Sequence, residues 1–537
     1  MSTASRFDWT AGYASRRSPL FARNIVSTSH PLAAQAGLRM LQAGGNAVDA
    51  AIAAAACMTL VEPCSNGLGS DAFCILWDGR QLHGLNASGP APAAWTPSFF
   101  EGATMPRRGW GSVTVPGAVG GWAALSERFG LLPFGELMQP AIEIAERGYA
   151  VPPIVQGKWA MAAALPELTS QPGFAQAFLP HGRVPAVGER FSFADAARSL
   201  RLIAESRGEA FYRGEISAAL ARFARETGGA LTEADLAAYR PEWVTPLAKD
   251  FAGHTLHEIP PNGQGIAAQM ALGLLQHCGI GHHTVDSADA QHLMIEAMKL
   301  AFADVYRFVA EPAAMAVSPA QLLDDGYLAE RAKLIDPARA QVFGAGNPVK
   351  GGTIYLTAAD ESGMMVSFIQ SNYMGFGSGL VLPGYGISLQ NRGHCFTLEP
   401  GHPNQVAPAK RPFHTIIPAF LTQDGAPVMS FGVMGGNMQP QGHLQTLVRM
   451  LCYGQNPQTA CDAPRWRFNE GLSINIEAHM PATTIEALRA RGHQVGDIHD
   501  SYQDFGAGQF IWRLGDPAVD GYVAASDPRR DGAAVGW

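Results

Sequence analysis

Apolar positions recur with two periods along the 537-residue chain. PLAAQAGLRMLQAGG begins at Pro31 and ends at Gly44-Gly45, with Ala34, Leu38 and Leu41 at helical spacing. Proline at the start and glycine past the end punctuate a helix. Asn46 predicts the cap of a second helix, with Asp49 three residues on as its reciprocal partner. That helix, about 47–60, is small-faced and apolar, which predicts burial against a sheet or another helix. DAFCILWDGRQLHGLNA predicts two strands around an Asp78-Gly79 turn. From about 120 to 345 helical spacing or caps dominate, in GGWAALSERFG, MQPAIEIAERGYA, FADAARSLRLIAESRGEAFY, GEISAALARFARETGG and TEADLAAYRPEW. The longest such stretch is 290–308, preceded by Asp286 and Asp289, where negative charge suits a helix start. After the glycine-rich connector FGAGNPVKGG come short strand-like runs: TIYLTAAD, MMVSFIQSN, GISLQN, HTIIPAFLT and VMSFGVMGG. Helices at QPQGHLQTLVRML and TIEALRARG and strands at GQFIWRL and GYVAASD complete the chain. Strands near both ends and helices between them predict a layered α+β core with helices over sheets.

Composition supports that picture and narrows the function. Hydrophobic residues make up 47 % and charged residues 16 %, enough for a large core and too apolar for global disorder. The length exceeds one ordinary domain but suits a large two-lobed unit. With 38 Lys+Arg against 46 Asp+Glu, no long basic surface for nucleic acid is expected, and Arg16-Arg17 reads as a solvated turn. Seven cysteines, an odd number without CxxC, fit a reducing compartment. The N-terminal stretch has no apolar run of signal-peptide length, and AVDAAIAAAACMTLV is too short and alanine-rich to span a membrane. The expectation is a cytoplasmic protein without a membrane partner. The densest histidine group, His277, His282, His283 and His292, lacks metal-ligand spacing, so neither metal nor cofactor is expected.

Candidate chemistry starts at VKGGTIYLTAADESG, residues 349–363. A threonine hydroxyl is a weak nucleophile unless a base takes its proton, and an N-terminal threonine carries such a base in its own α-amine. A cut between Gly352 and Thr353 would create that amine, and Gly351-Gly352 leaves the backbone free for a self-cleaving conformation. A loop entering a strand explains the same residues. Acyl transfer also needs donors for a developing oxyanion. In SFGVMGGNMQPQGH, Gly435-Gly436 lies between a strand and a helix, where backbone N–H groups are free to bind an anion or simply to start the helix.

Many ordered motifs then share one resemblance: LAAQAGLRMLQAGGNAVDAAIAAA, EPCSNGLGSDAF, GSVTVPGAVGGW, IEAMKLAFADVYR, GGTIYL, QSNYMGFGSGLVLPGYGISLQNRG, KRPFHTIIPAF, GVMGGNMQPQGH and DAPRW. Nearly the whole chain resembles the γ-glutamyltransferase family of N-terminal nucleophile hydrolases, most of all its acylase-like, glutaryl-cephalosporin-acylase-type branch. The resemblance implies a four-layer αββα sandwich and a precursor that cuts itself before a threonine. Here that gives a large subunit, 1–352, and a small subunit, 353–537, that stay associated as one intertwined unit. It implies Thr353 as nucleophile, Gly435 and Gly436 as oxyanion donors, and Ser371 as the hydroxyl that holds the free amine. The partner is a small-molecule amide; self-association of the processed unit is left open.

Several positions depart from the γ-glutamyl enzymes, which grip a zwitterionic amino acid. By alignment their recognition positions hold Ser88, Tyr373, Arg392, Cys395, and His414 with Thr415. Ser88 cannot clamp a carboxylate and Cys395 cannot pair with an ammonium. The branch's own arginine is replaced by Pro90. Arg392, Tyr373 and His414 remain candidates for recognition, with structural roles as the alternative. The segment from Phe396 to Lys410 looks short where relatives carry a lid, which predicts an open pocket and hydrolysis over transfer. The expected activity is hydrolysis of γ-glutamyl, glutaryl or related acyl amides through a threonyl acyl-enzyme. Hydrolysis of a small amide such as oxamate, and an inactive binding protein, are the alternatives.

Overall fold

The computed structural model describes residues 17–100, 102, 104–343, 352–498 and 505–537. Most of the connector before Thr353, including Gly351, lies outside these residues.

Two seven-stranded antiparallel sheets form the centre. One runs Ala533–Gly536, Ile25–Thr28, Gly352–Ala359, Met365–Tyr373, Asp71–Trp77, Leu82–Ala87, Glu242–Val244. The other runs Leu20–Ala22, Tyr522–Ser526, Ala507–Arg513, Ala426–Met434, Ala419–Gln423, His254–Glu258, Leu247–Phe251. Their inner faces share one core that includes Ile25, Phe73, Tyr355, Ile369, Phe420, Ile511 and Ala524. Ile354, Leu356 and Phe368 point the other way, into helices that include Ala47–Val61 and Ala118–Phe129. Met429, Phe431 and Val433 do the same against Ile266–Leu275, Ala288–Phe308 and Met438–Leu451. The layers are therefore helix, sheet, sheet, helix, the αββα arrangement that the resemblance implies.

Strand parity places the site. Side chains alternate along a strand. In Gly352–Ala359 the odd positions face the gap between the sheets: Tyr355 is in the inner core, and Thr357 Oγ1 lies 2.6 Å from Ser430 Oγ of the opposing sheet. Thr353 shares that parity.

The capping box at Asn46 forms as predicted, Asn46 Oδ1 accepting from Val48 N and Asp49 N and Asp49 Oδ2 from Asn46 N, and every residue of Ala47–Val61 is buried. Its neighbour Pro31–Gln42 approaches so closely that a Cβ on Gly37 would lie 2.9 Å from the Ala50 carbonyl oxygen.

Three expectations change. The helical middle contains the hairpin Leu247–Phe251/His254–Glu258, which pairs with Ala419–Gln423 to extend the second sheet. TEADLAAYRPEW splits into a helix, Glu233–Ala238, and an edge strand, Glu242–Val244. Ser287 caps the long helix, so Asp289 falls inside its first turn, while Asp286 has a left-handed backbone (φ 63°) and pairs with Arg449. All seven cysteines are free thiols. Among the described residues no helix is long and apolar enough to cross a membrane.

Candidate active site

Thr353 is 1 % exposed. A bulge between Gly352 and Ile354 interrupts the ladder with Met365–Tyr373, and Thr353 Oγ1 comes within 3.2 Å of Ser371 Oγ on that neighbouring strand. Ser371 Oγ in turn accepts from the Tyr373 N–H at 2.8 Å. Tyr373 has a left-handed backbone (φ 74°), a strained conformation for a residue with a side chain. Gln439 Nε2 donates to Thr353 Oγ1 at 3.4 Å, and Gln439 Oε1 accepts from Ile417 N at 2.9 Å, which anchors the amide.

Gln439 belongs to the first turn of helix Met438–Leu451, which follows Gly435-Gly436. Both glycines have positive φ, 127° and 61°. A Cβ on Gly435 would lie a tight 3.0 Å from Gly506 Cα, and the positive φ favours glycine there. Among the described residues neither Gly435 N–H nor Gly436 N–H donates a turn or loop hydrogen bond. Free amides at the positive end of a helix suit an oxyanion.

Arg392 is fully buried. Its guanidinium lies 4.3 Å over the Tyr373 ring, donates from Nη1 to Thr415 Oγ1 at 2.8 Å, and touches Cys395 Sγ at 3.8 Å. Among the described residues Nε and Nη2 have no hydrogen-bond partner. Tyr373, Cys395 and Thr415 line a cavity of about 180 Å³, with Tyr306, His402 and Asn437 among its other walls. Arg392 stands directly behind this wall. Burial raises the Cys395 thiol and raises Tyr373 well above its ordinary value, so both groups are neutral at pH 7. The short 396–410 segment does not leave the cavity bare: His402 and Asn404 form part of its wall.

His414 and Ser88 sit one layer further out. His414 Nδ1 accepts from Ile416 N at 3.3 Å, which puts its proton on Nε2, 3.1 Å from Asp71 Oδ2. Burial holds His414 well below its ordinary value, so the ring is neutral. Burial also pushes Asp71 up to about 7, against the pull of the Arg392 charge, while the hydrogen-bond direction requires an accepting carboxylate oxygen. Ser88 donates to Asn86 Oδ1 at 2.7 Å, and the adjacent Gly89 N–H donates to Asp71 Oδ1 at 3.3 Å. Of the site residues expected from sequence, Tyr373 and Thr415 line the cavity, while Thr353, Ser371, Arg392, Gly435, Gly436, Ser88 and His414 do not. The structure thus gathers Thr353, Ser371, Tyr373, Arg392 and Thr415 beside Gly435-Gly436. Gln439 and Asp71 were not singled out by sequence reasoning, although both lie inside the motifs GVMGGNMQPQGH and EPCSNGLGSDAF.

His292 meets Glu296 and His493 rather than the other histidines of its sequence group, with ligand atoms within 4.8 Å of one another. His292 Nδ1 lies 2.8 Å from His493 Nε2, and Lys299 Nζ lies 2.7 Å from Glu296 Oε1. The ammonium already neutralises the carboxylate that a metal would need.

Comparison with known proteins agrees with this geometry. The gamma-glutamyltranspeptidase family model matches residues 33–537. The fold superposes on the crystal structure of a cephalosporin acylase from Bacillus halodurans with a TM-score of 0.94, 47 % identity and 99 % coverage of both chains. The chain is 34 % identical to the glutathione hydrolase-like YwrD proenzyme of Bacillus subtilis (strain 168), over 97 % of this chain and 99 % of that protein. It is 36 % identical to the oxamate amidohydrolase proenzyme of Klebsiella pneumoniae, over 95 % of this chain and 97 % of that protein. A chain with these matches over almost its full length, and with this four-layer fold, belongs to the γ-glutamyltranspeptidase family of N-terminal nucleophile hydrolases.

Proposed function

We propose that this protein cuts itself between Gly352 and Thr353 and then hydrolyses amides whose acyl group carries a carboxylate but no ammonium. The observation that carries the substrate class is Arg392. A buried guanidinium with two donors unpartnered among the described residues, behind a cavity wall beside Thr353's strand, favours an anionic acyl group. Cys395, a neutral thiol, offers no charge for an ammonium. Glutaryl and oxamate amides both meet this description, and γ-glutamyl amides meet it less well.

In the proposed cycle Thr353 Oγ attacks the amide carbonyl carbon while the Thr353 α-amine takes the hydroxyl proton. Gly435 and Gly436 N–H groups hold the tetrahedral oxyanion. The C–N bond breaks, the leaving amine takes the proton back, and an acyl ester remains on Thr353. Water then attacks the ester with the α-amine again as base, releasing the acid and restoring the hydroxyl. Ser371 and Gln439 hold Oγ1 in place throughout.

Intact mass under denaturing conditions tests the first step. Wild type is expected to give two chains, ending at Gly352 and beginning at Thr353, and Thr353→Ala one uncut chain. A wild type that stays whole on prolonged incubation would remove the N-terminal nucleophile and leave a binding protein as the better reading. A panel of glutaryl, γ-glutamyl and oxamate amides then tests the acyl class, and clear preference for γ-glutamyl would overturn it.

A further inference from the structure

A second buried charge touches the nucleophile residue from its main-chain side. Arg530 is 3 % exposed. Its Nη2 donates to the Thr353 carbonyl oxygen at 3.4 Å and lies 3.1 Å from Met434 Sδ, while its Nη1 lies 3.2 Å from Glu62 Oε2. Glu62 follows the last residue of helix Ala47–Val61, and Met434 ends the strand that leads into Gly435-Gly436. One guanidinium therefore touches both the residue that bears the nucleophile and the residue before the oxyanion pair.

A residue's carbonyl oxygen stays within about 4 Å of its own nitrogen, because only the rotation about Cα–C separates them. The guanidinium that bonds to the Thr353 carbonyl oxygen therefore stands close to the Thr353 nitrogen, where a like charge disfavours a protonated amine. A general base that is an amine must be unprotonated to work, and an adjacent cation favours that form. We propose that Arg530, held by Glu62, is a positioning residue that keeps the α-amine of Thr353 unprotonated at neutral pH. This inference rests on Thr353 becoming N-terminal, as proposed above.

Lys158 and Asp531 keep most of their charge at neutral pH but bond to Ser65 and Val155, whereas Arg530 bonds to Thr353 itself. Lys158, from helix Pro153–Ala163, donates to Ser65 Oγ at 2.6 Å, and burial lowers it to about 8. Asp531 accepts from Val155 N, and burial raises it to about 6. Burial holds His30 at about 4 and raises Tyr149 well above its ordinary value, so both are neutral. On the opposite flank Asp71, His414 and Arg392 act on one another.

The test is the acid limb of the kcat/KM–pH profile, measured on processed enzyme with the best amide of the panel above. Arg530→Gln removes the cation, so the limb is expected to move up by about one unit or more. Glu62→Gln leaves the cation unbalanced and moves the limb down. Arg530→Lys keeps the charge and stays near wild type. KM should change little in all three. Unmoved limbs, or limbs that move in the same direction for Arg530→Gln and Glu62→Gln, overturn the inference while leaving the proposed reaction standing. Failure of both Arg530→Gln and Arg530→Lys to cut also overturns it, because the lysine keeps the charge. If only Arg530→Gln stays uncut, the sign of the Glu62→Gln shift decides. An uncut wild type removes the α-amine, and this inference falls together with the reading beneath it.

Discussion

Stacking on Tyr373 and the bond to Thr415 Oγ1 fix the plane of Arg392, and the two donors left unpartnered among the described residues are the basis of its proposed role toward an anionic acyl group. Replacing it with glutamine should lower kcat/KM for a carboxylate-bearing acyl amide about 10- to 100-fold, the worth of a hydrogen bond to a charged group. An uncharged acyl amide should lose far less. Arg392→Lys keeps the charge but not the planar fork, so it should recover only part of the loss. Equal losses on charged and uncharged substrates would assign Arg392 to structure alone. Local glycine pairs made Thr353 and Gly435-Gly436 candidates in the sequence, while Ser371 came only from the family resemblance. Sequence reasoning could not reach the contacts of Arg530, because Glu62 lies 468 positions away and Thr353 lies 177 away. Only folding brings these groups together.

Elements show the same division. Ala47–Val61 was legible because Asn46 and Asp49 mark its start locally. The hairpin at Leu247–Glu258 was not, because its strands are five residues each and alternate between helical segments on either side. What fixes it is the partner strand Ala419–Gln423, far along the chain. The two sheets meet where the Tyr355 ring crosses Gly432: a Cβ there would lie 2.5 Å from the ring. Gly432→Ala should therefore destabilise the fold by about 1–3 kcal/mol through overpacking. Gly157→Ala, in helix Pro153–Ala163 with open space around it, should be neutral or stabilising by up to about 1 kcal/mol. Urea midpoints for the two variants give the comparison, and equal midpoints would rule out a tight contact at Tyr355.

At the scale of the whole molecule, a charge cluster ties the C-terminal segment to the second sheet. Asp527 is buried with Arg465 at 2.8 Å and Arg529 at 3.0 Å, and accepts from Gly508 N at 2.7 Å. Burial raises its carboxyl, but the Arg529 and Arg465 charges outweigh that and hold it at about 2, below the ordinary 3.8. As pH falls the unfolded chain takes up this proton first, so the contribution is complete above about pH 5 and is lost as pH falls toward 2. It amounts to about 2 kcal/mol. The stability difference between wild type and Asp527→Asn, from denaturant unfolding, should shrink by about that much from pH 5 to pH 2, and a constant difference would refute it. Both sheets also interleave strands from before and after Thr353. Gly352–Ala359 pairs with Ile25–Thr28, Met365–Tyr373 with Asp71–Trp77, and Ala419–Gln423 with His254–Glu258. A precursor forms these ladders within one chain, so its refolding is independent of dilution. The cut chain must find its other half, so recovery after denaturation becomes second order and fails at low concentration. The working enzyme would then persist by the slowness of its unfolding, having given up the route by which it was made.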